Sequence, residues 1–186
     1  MEGDILLFIQ NNIRTPVLDT VMKGITMLAD HGWFWITLSL VLLIFKKTRK
    51  VGFMCCFAIG CMYLINNVCI KNIVDRARPY DVIEGLIPLG NLPDDSSFPS
   101  GHTAISFAVS VVLLFSTKKR FGIPAVILAF LIAISRMYVG VHYPTDVLGG
   151  FVIGTLCACI SLWLGPKLWK IAVKILPFLD DKKKTA

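Results

Sequence analysis

What most constrains this chain is its succession of long apolar runs broken by short basic clusters. Apolar stretches cover residues 51–70, 102–117, 121–137 and 147–165, with a shorter one at 33–45. A helix needs about 20 residues to cross the hydrocarbon of a bilayer, so these runs have the length of membrane spans and the shortest must borrow flanking residues. Residues 15–29, interrupted by Asp19, Lys23 and Gly24, supply either a sixth, short, protein-covered span or an interfacial helix continuous with residues 5–13. The six-span reading is favoured. The expectation is an all-α polytopic membrane protein with six transmembrane helices, forming one domain over residues 1–186.

Composition agrees, since hydrophobic residues make up 55% and charged residues 17%, with a mean hydropathy of +0.71. A soluble domain carries about a quarter charged residues. A formal charge of +7 raises nucleic acid as a partner, but the basic residues fall between apolar runs, where they orient a membrane protein instead. Lys46, Lys47, Arg49 and Lys50, then Lys118, Lys119 and Arg120, then the tail from Lys167 to Lys184, are expected in the cytoplasm. The segments 71–100 and 136–146 then lie outside. Trp33, Trp35, Tyr138 and Tyr143 are expected in an outer aromatic belt, Trp163 and Trp169 in an inner one. The start of the chain lacks a basic region and a small-residue cleavage site, unlike a signal peptide. The six cysteines lie in apolar stretches and read as small reduced hydrophobes; Cys157 and Cys159 have no histidine or carboxylate beside them to complete a metal site. Gly149, Gly150 and Gly154 read as helix-packing positions. The one long loop, residues 80–98, with the acidic pair Asp94 and Asp95, is a candidate lid or headgroup selector.

Both outer segments are dense in groups that handle phosphate. Lys71 and Arg78 are seven residues apart, which places them on one face if the stretch is helical, with Pro79 stopping the helix. An ammonium and a guanidinium fork held together suit a phosphoryl dianion. Arg76 reads as an interfacial side chain whose charge reaches water. Pro99-Ser100-Gly101-His102 precedes an apolar run and describes a helix entrance, where unpaired N–H groups face a bound anion. A cap explains Ser100 but not His102, whose imidazole can protonate a leaving group. His142 and Asp146 are four apart around Pro144, so a helix starting there brings them together, the carboxylate fixing the imidazole tautomer. Arg136, after Ser135, adds a further fork. His31 reads as a surface histidine, and Asn66 and Asn67 as interhelical hydrogen-bonding groups.

Lys71-x6-Arg78-Pro79, Pro99-Ser100-Gly101-His102 and Ser135-Arg136-x5-His142-x3-Asp146 resemble the three signature motifs of the type 2 phosphatidic acid phosphatase (PAP2) superfamily, which includes vanadium haloperoxidases and glucose-6-phosphatases. The resemblance implies an all-helical six-span fold with a haloperoxidase-like core, and a metal-independent, cofactor-free phosphoryl transfer in two steps. By that resemblance His142 is the nucleophile, Asp146 its orienting group and His102 the general acid, while Lys71, Arg78, Ser100, the Gly101 amide and Arg136 bind phosphate. The implied partner is a phosphorylated lipid of the outer leaflet. Undecaprenyl diphosphate fits best, and phosphatidylglycerol phosphate or phosphatidic acid is the alternative. A non-catalytic lipid-binding or transport protein is the reading of another class, disfavoured because binding alone needs no proton donor or nucleophile. A haloperoxidase is disfavoured because those relatives are typically large and soluble. The oligomeric state is not legible. The topology is testable in a background lacking native cysteines: a cysteine at Asp94 should react with an impermeant thiol reagent outside intact cells, and one at Lys119 should not. The reverse pattern puts the motifs in the cytoplasm.

Overall fold

The computed structural model describes residues 1–176 and 179, and these are helical wherever they are regular. The basic tail from Lys182 to Lys184 lies outside the described residues. In chain order the helices are α1 (Glu2–Asn12), α2 (Pro16–Met27), a 3-10 turn (Asp30–Gly32), α3 (Trp33–Ile44) and α4 (Arg49–Met62). The last runs through a π-helical tract (Tyr63–Ile70) into α5 (Lys71–Val74). Then follow α6 (Pro79–Val82), α7 (Gly101–Ser116), α8 (Lys119–Tyr138) and α9 (Pro144–Ile175).

Helix α7 is the axis of the bundle, packed by α4, α8 and α9, and its residues from Thr103 to Ser110 are all buried. With lipid outside, burying apolar surface gains little between helices, so close packing and polar contacts must hold them together. Glycine supplies the first of these. A Cβ on Gly150 would lie 2.5 Å from the Ser100 carbonyl oxygen, and one on Gly154 would lie 2.3 Å from that of Ala104. The glycines of α9 therefore set its distance from α7, as expected for packing positions. Around α7, Phe107 meets Phe130 and Phe151 edge-on at 4.9 and 4.7 Å. Such pairs add roughly 0.5–1.5 kcal/mol beyond area burial. The outside carries exposed apolar side chains such as Phe45, Phe121, Ile127, Leu156 and Trp163, as lipid requires.

The six expected spans are met in part, and other expectations need correction. Three helical stretches are long and apolar enough to cross a membrane, Arg49–Val82, Lys119–Tyr138 and Pro144–Ile175, or four if the pair Pro16–Met27 and Asp30–Ile44, bent by 42°, forms one broken span. This is a multi-pass membrane architecture. Residues 5–13 do not continue into α2, because Thr15 caps a new helix with Pro16 in its first turn. Of the expected outer aromatics only Trp33 is exposed; Trp35, Tyr138 and Tyr143 are buried. Each of the three has a polar or cationic contact inside the protein: the Trp35 indole donates to Ser106, the Tyr138 hydroxyl donates to Asp19, and Arg76 lies over the ring face of Tyr143.

The α7–α9 contact yields a test. Gly154→Ala should lower the thermal midpoint of the detergent-purified protein, since a methyl against backbone costs about 1–3 kcal/mol. Gly24→Ala, where nothing lies within 4 Å, should leave the midpoint unchanged or raise it.

Candidate active site

The first cationic pair is built by ending a helix early. The left-handed Asp75, at φ 42°, stops α5 at Val74. Residues 75–78 leave the helix, and Pro79 opens α6 rather than stopping its predecessor. Lys71 and Arg78 therefore do not share a helix face. They converge from a helix end and a helix cap, and both are buried. The group between them is Asp95 of the long loop: Lys71 Nζ donates to one of its carboxylate oxygens and Arg78 Nη2 to the other. Burial works to raise the Asp95 carboxyl, but its hydrogen bond and ion pair with Lys71, then the charge of Arg78, outweigh burial and hold it below the usual carboxylate range. Two clefts of about 490 and 320 Å³ open along residues 94–96.

The second element is the mouth of α7. Ser100 caps the helix, its Oγ accepting from the Thr103 amide at 3.4 Å and hydroxyl at 3.0 Å. Its own amide donates to the Asp146 carbonyl at 3.0 Å, stitching this turn onto α9. Around Gly101 the space is open: the nearest atoms to an added Cβ are side-chain atoms of Asn66 and Asn67, both 3.9 Å away. Buried Asn66 donates to Asn67 at 2.9 Å and reaches the Pro99 carbonyl at 3.5 Å, so it braces this turn as well as the π tract. One turn into α7, His102 Nε2 meets Asp30 Oδ1 at 2.9 Å.

The third element joins the loop before α9 to its first turn. His142 is buried, with Nδ1 3.5 Å from Asp146 Oδ2 and Nε2 3.3 Å from Arg78 Nη1. A guanidinium only donates, so Nε2 presents its lone pair and Nδ1 carries the proton toward the carboxylate. Burial lowers the His142 pKa, with Arg136 and Arg78 acting in the same direction, which keeps the imidazole neutral. Asp146 is fully enclosed. It accepts from the Tyr143 amide at 2.8 Å, from Ser97 Oγ at 2.5 Å and from Arg76 Nη1 at 2.6 Å. Arg136, at the end of α8, donates from Nη1 to Thr26 at 2.6 Å, while its buried Nε has no partner among the described residues and remains available to an anion.

The chain that carries this neutral imidazole, carboxylate and set of cations is similar to known proteins. Residues 51–170 match the PAP2 superfamily. An undecaprenyl-diphosphatase of Sulfolobus acidocaldarius is 35% identical over 137 residues, 73% of this chain and 66% of the relative. The undecaprenyl-diphosphatase BcrC of Bacillus subtilis is 32% identical over 90% of this chain and 81% of its own. The crystal structure of a transmembrane PAP2 type phosphatidylglycerolphosphate phosphatase from Bacillus subtilis superposes with a TM-score of 0.74 at 32% identity, over 89% of this chain and 85% of that one. The chain belongs to the PAP2 superfamily.

Direct contacts run from Arg78 to His142, from His142 to Asp146 and from Asp146 to Ser100 at the mouth of α7, and Asp95 joins Lys71 to Arg78, but the sequence reading left out the supports of these residues. Arg76, taken as a side chain reaching for water, instead bridges Asp146 to Glu2 of α1 at 2.6 and 2.7 Å. Its place inside the first motif, two residues before Arg78, was the available signal. Asp30, Thr26, Ser97 and Glu2 had none, because each acts across 49 or more positions of sequence. His31 is exposed, as expected.

Asp95 stands where a phosphate oxygen would meet Lys71 and Arg78. Asp95→Asn should therefore lower the thermal midpoint in phosphate-free buffer, and added inorganic phosphate should raise the variant's midpoint more than the wild type's. Equal phosphate shifts in the two proteins would mean that Asp95 and phosphate do not compete.

Proposed function

We propose that this PAP2 phosphatase hydrolyses undecaprenyl diphosphate at the outer leaflet of the cell membrane, as a single-domain, six-span protein using no cofactor. The observation that carries the reading is the His142 lone pair: Nε2 faces the Arg78 fork while Asp146 sits behind Nδ1. Lys71, Arg78, Arg136, the Ser100 hydroxyl and the Gly101 amide hold the terminal phosphoryl group, and its phosphorus comes within reach of Nε2. His142 attacks, the bond to the bridging oxygen breaks, and the lipid monophosphate departs with a proton from His102. Water then gives a proton back to His102 as its oxygen displaces His142, releasing inorganic phosphate. Fixed cations do here what magnesium does in kinases, since phosphoryl transfer is mostly positioning and charge stabilisation.

Two relatives that bear the name undecaprenyl-diphosphatase support the substrate, at 35% and 32% identity. The phosphatidylglycerolphosphate phosphatase, at 32% identity over 89% of the chain, favours a second reading in which the substrate is a glycerolipid monophosphate. The topology that faces the site outward follows from the basic clusters at residues 46–50 and 118–120.

The purified protein in detergent should release phosphate from undecaprenyl diphosphate in excess chelator, faster than from dioctanoyl phosphatidylglycerol phosphate, and vanadate should inhibit. His142→Ala should lower turnover by more than about 10⁴-fold and abolish the acid-labile phosphoenzyme seen after a quench. A strict magnesium requirement, or phosphoenzyme retained in the variant, overturns the mechanism. Faster turnover of the glycerolipid moves the substrate to the second reading.

A further inference from the structure

The family motifs give the nucleophile His142 a carboxylate and leave the second histidine without one. In this protein His102 has its own: Nε2 lies 2.9 Å from Asp30 Oδ1. Asp30 comes from the 3-10 turn between α2 and α3, outside all three motifs and before the first residue of the family match. We propose that Asp30 is the positioning residue of the general acid, so that this site runs on two histidine–aspartate pairs. The proposal rests on the role given to His102 above.

The turn that carries Asp30 is docked rather than loose. His31 at φ 50° and Gly32 at φ 73° reverse the chain there, and a Cβ on Gly32 would come 2.5 Å from Ile105 Cδ1 of α7. Only glycine lets the turn sit this close to the helix that bears His102. Just beyond, the Trp35 indole donates to Ser106 Oγ at 2.8 Å, and Ser106 Oγ donates to the His102 carbonyl at 2.7 Å. Just before, Ala29 is buried in the core, and Thr26 accepts from Arg136. The segment around the turn is thus fixed against α7 by a close contact, a hydrogen-bond chain and a core residue, and Asp30 is presented to the imidazole at a set distance.

The chemistry follows from what a carboxylate can do. Ionised, it only accepts, so Nε2 must be the donor in this contact, and Nδ1 is left as the nitrogen for the leaving oxygen. Burial opposes protonation of His102, and the nearby cations Arg136 from α8 and Lys71 from α5 act in the same direction; Asp30 acts against all three. A general acid needs its proton before the bond to phosphorus breaks, and Asp30 favours that form. As the leaving group departs, the proton moves from Nδ1 to its oxygen and the imidazole becomes neutral with Asp30 still anionic. In the second half-reaction water returns a proton to Nδ1 as its oxygen bonds to phosphorus and the bond to His142 breaks.

Two measurements test this, one of which needs no turnover. In protein labelled with ¹⁵N-histidine, Asp30→Asn should move the titration midpoint of His102 to lower pH, with resonances assigned through His102→Gln. In kinetics, Asp30→Asn should slow hydrolysis of dioctanoyl phosphatidic acid, whose leaving group is an alcohol, by roughly 10- to 100-fold, part of the ~10²–10⁴ that general acid catalysis supplies. It should slow p-nitrophenyl phosphate, whose leaving group departs without help, by less than about 3-fold. Asp30→Asn added to His102→Gln should cost nothing more, and Asp30→Glu should recover part of the loss. An unmoved His102 titration, or equal losses on both substrates, overturns the role of Asp30. His102→Gln that is itself indifferent to the leaving group overturns instead the general-acid role on which the proposal rests.

Discussion

Lys71, Arg78 and Arg136 are three buried cations within reach of one another's charge at the edge of an apolar bundle, and much of the structure is arranged around keeping them there. Cations this close repel, and a buried charge without a partner costs several kcal/mol. Each has a partner. Lys71 and Arg78 share Asp95, Arg78 also donates to the Asp95 and Val141 carbonyls at 2.9 Å, and Arg136 donates to Thr26. What remains open among the described residues is the Arg136 Nε. A phosphoryl group that displaced Asp95 would meet all three cations. Burial, with the same concentration of positive charge acting in its direction, keeps His142 neutral, so the cations proposed to bind the substrate also prepare the proposed nucleophile.

Helix α7 converts this charge cluster into a fixed geometry. Its first turn carries Gly101 and His102, its cap hydrogen-bonds to the start of α9, and α9 approaches it through Gly150 and Gly154. Tight α7–α9 packing therefore sets the distance between the two histidines. The wedge of small residues and the catalytic spacing are one constraint seen from two sides.

Much of this was legible in the sequence for a simple reason. Motif residues sit at helix ends, where Pro79, the Ser100 cap and Pro144 mark the boundaries and the spacing from His142 to Asp146 is one helical turn. The helical class followed from the apolar runs. The reading failed where tertiary contacts override a local rule. The seven-residue step from Lys71 to Arg78 looked like two turns of helix, yet Asp75 in a left-handed conformation breaks it and the long loop brings the two together instead. Trp35, Tyr138 and Tyr143 have the composition of an interfacial belt but find polar or cationic partners inside the bundle. An arginine inside a motif looked free because Glu2 and Asp146, its partners, are 74 and 70 positions away.

Three of the residues that support the site but escape the motifs share an origin. The family match begins at residue 51, and Glu2, Thr26 and Asp30 all precede it. Glu2 holds Arg76 against Asp146 and accepts from the Thr145 amide and hydroxyl at 3.0 and 2.7 Å, so α1 braces the start of α9. Thr26 and Asp30, from the bent α2–α3 segment, reach Arg136 and His102. A carboxylate or hydroxyl behind a reacting group fixes its orientation and shifts its charge without touching the substrate. On the proposed reading the shared core supplies the groups that meet phosphate, and the N-terminal helices supply part of the polar shell that aims them. Variation in those first fifty residues could then retune proton transfer while leaving every motif intact, because the strength required of the acid depends on what must leave. A lipid monophosphate departs more readily than an alcohol, so a carboxylate behind His102 matters most to an enzyme that also releases alcohols, which is where the two substrate readings of this site part.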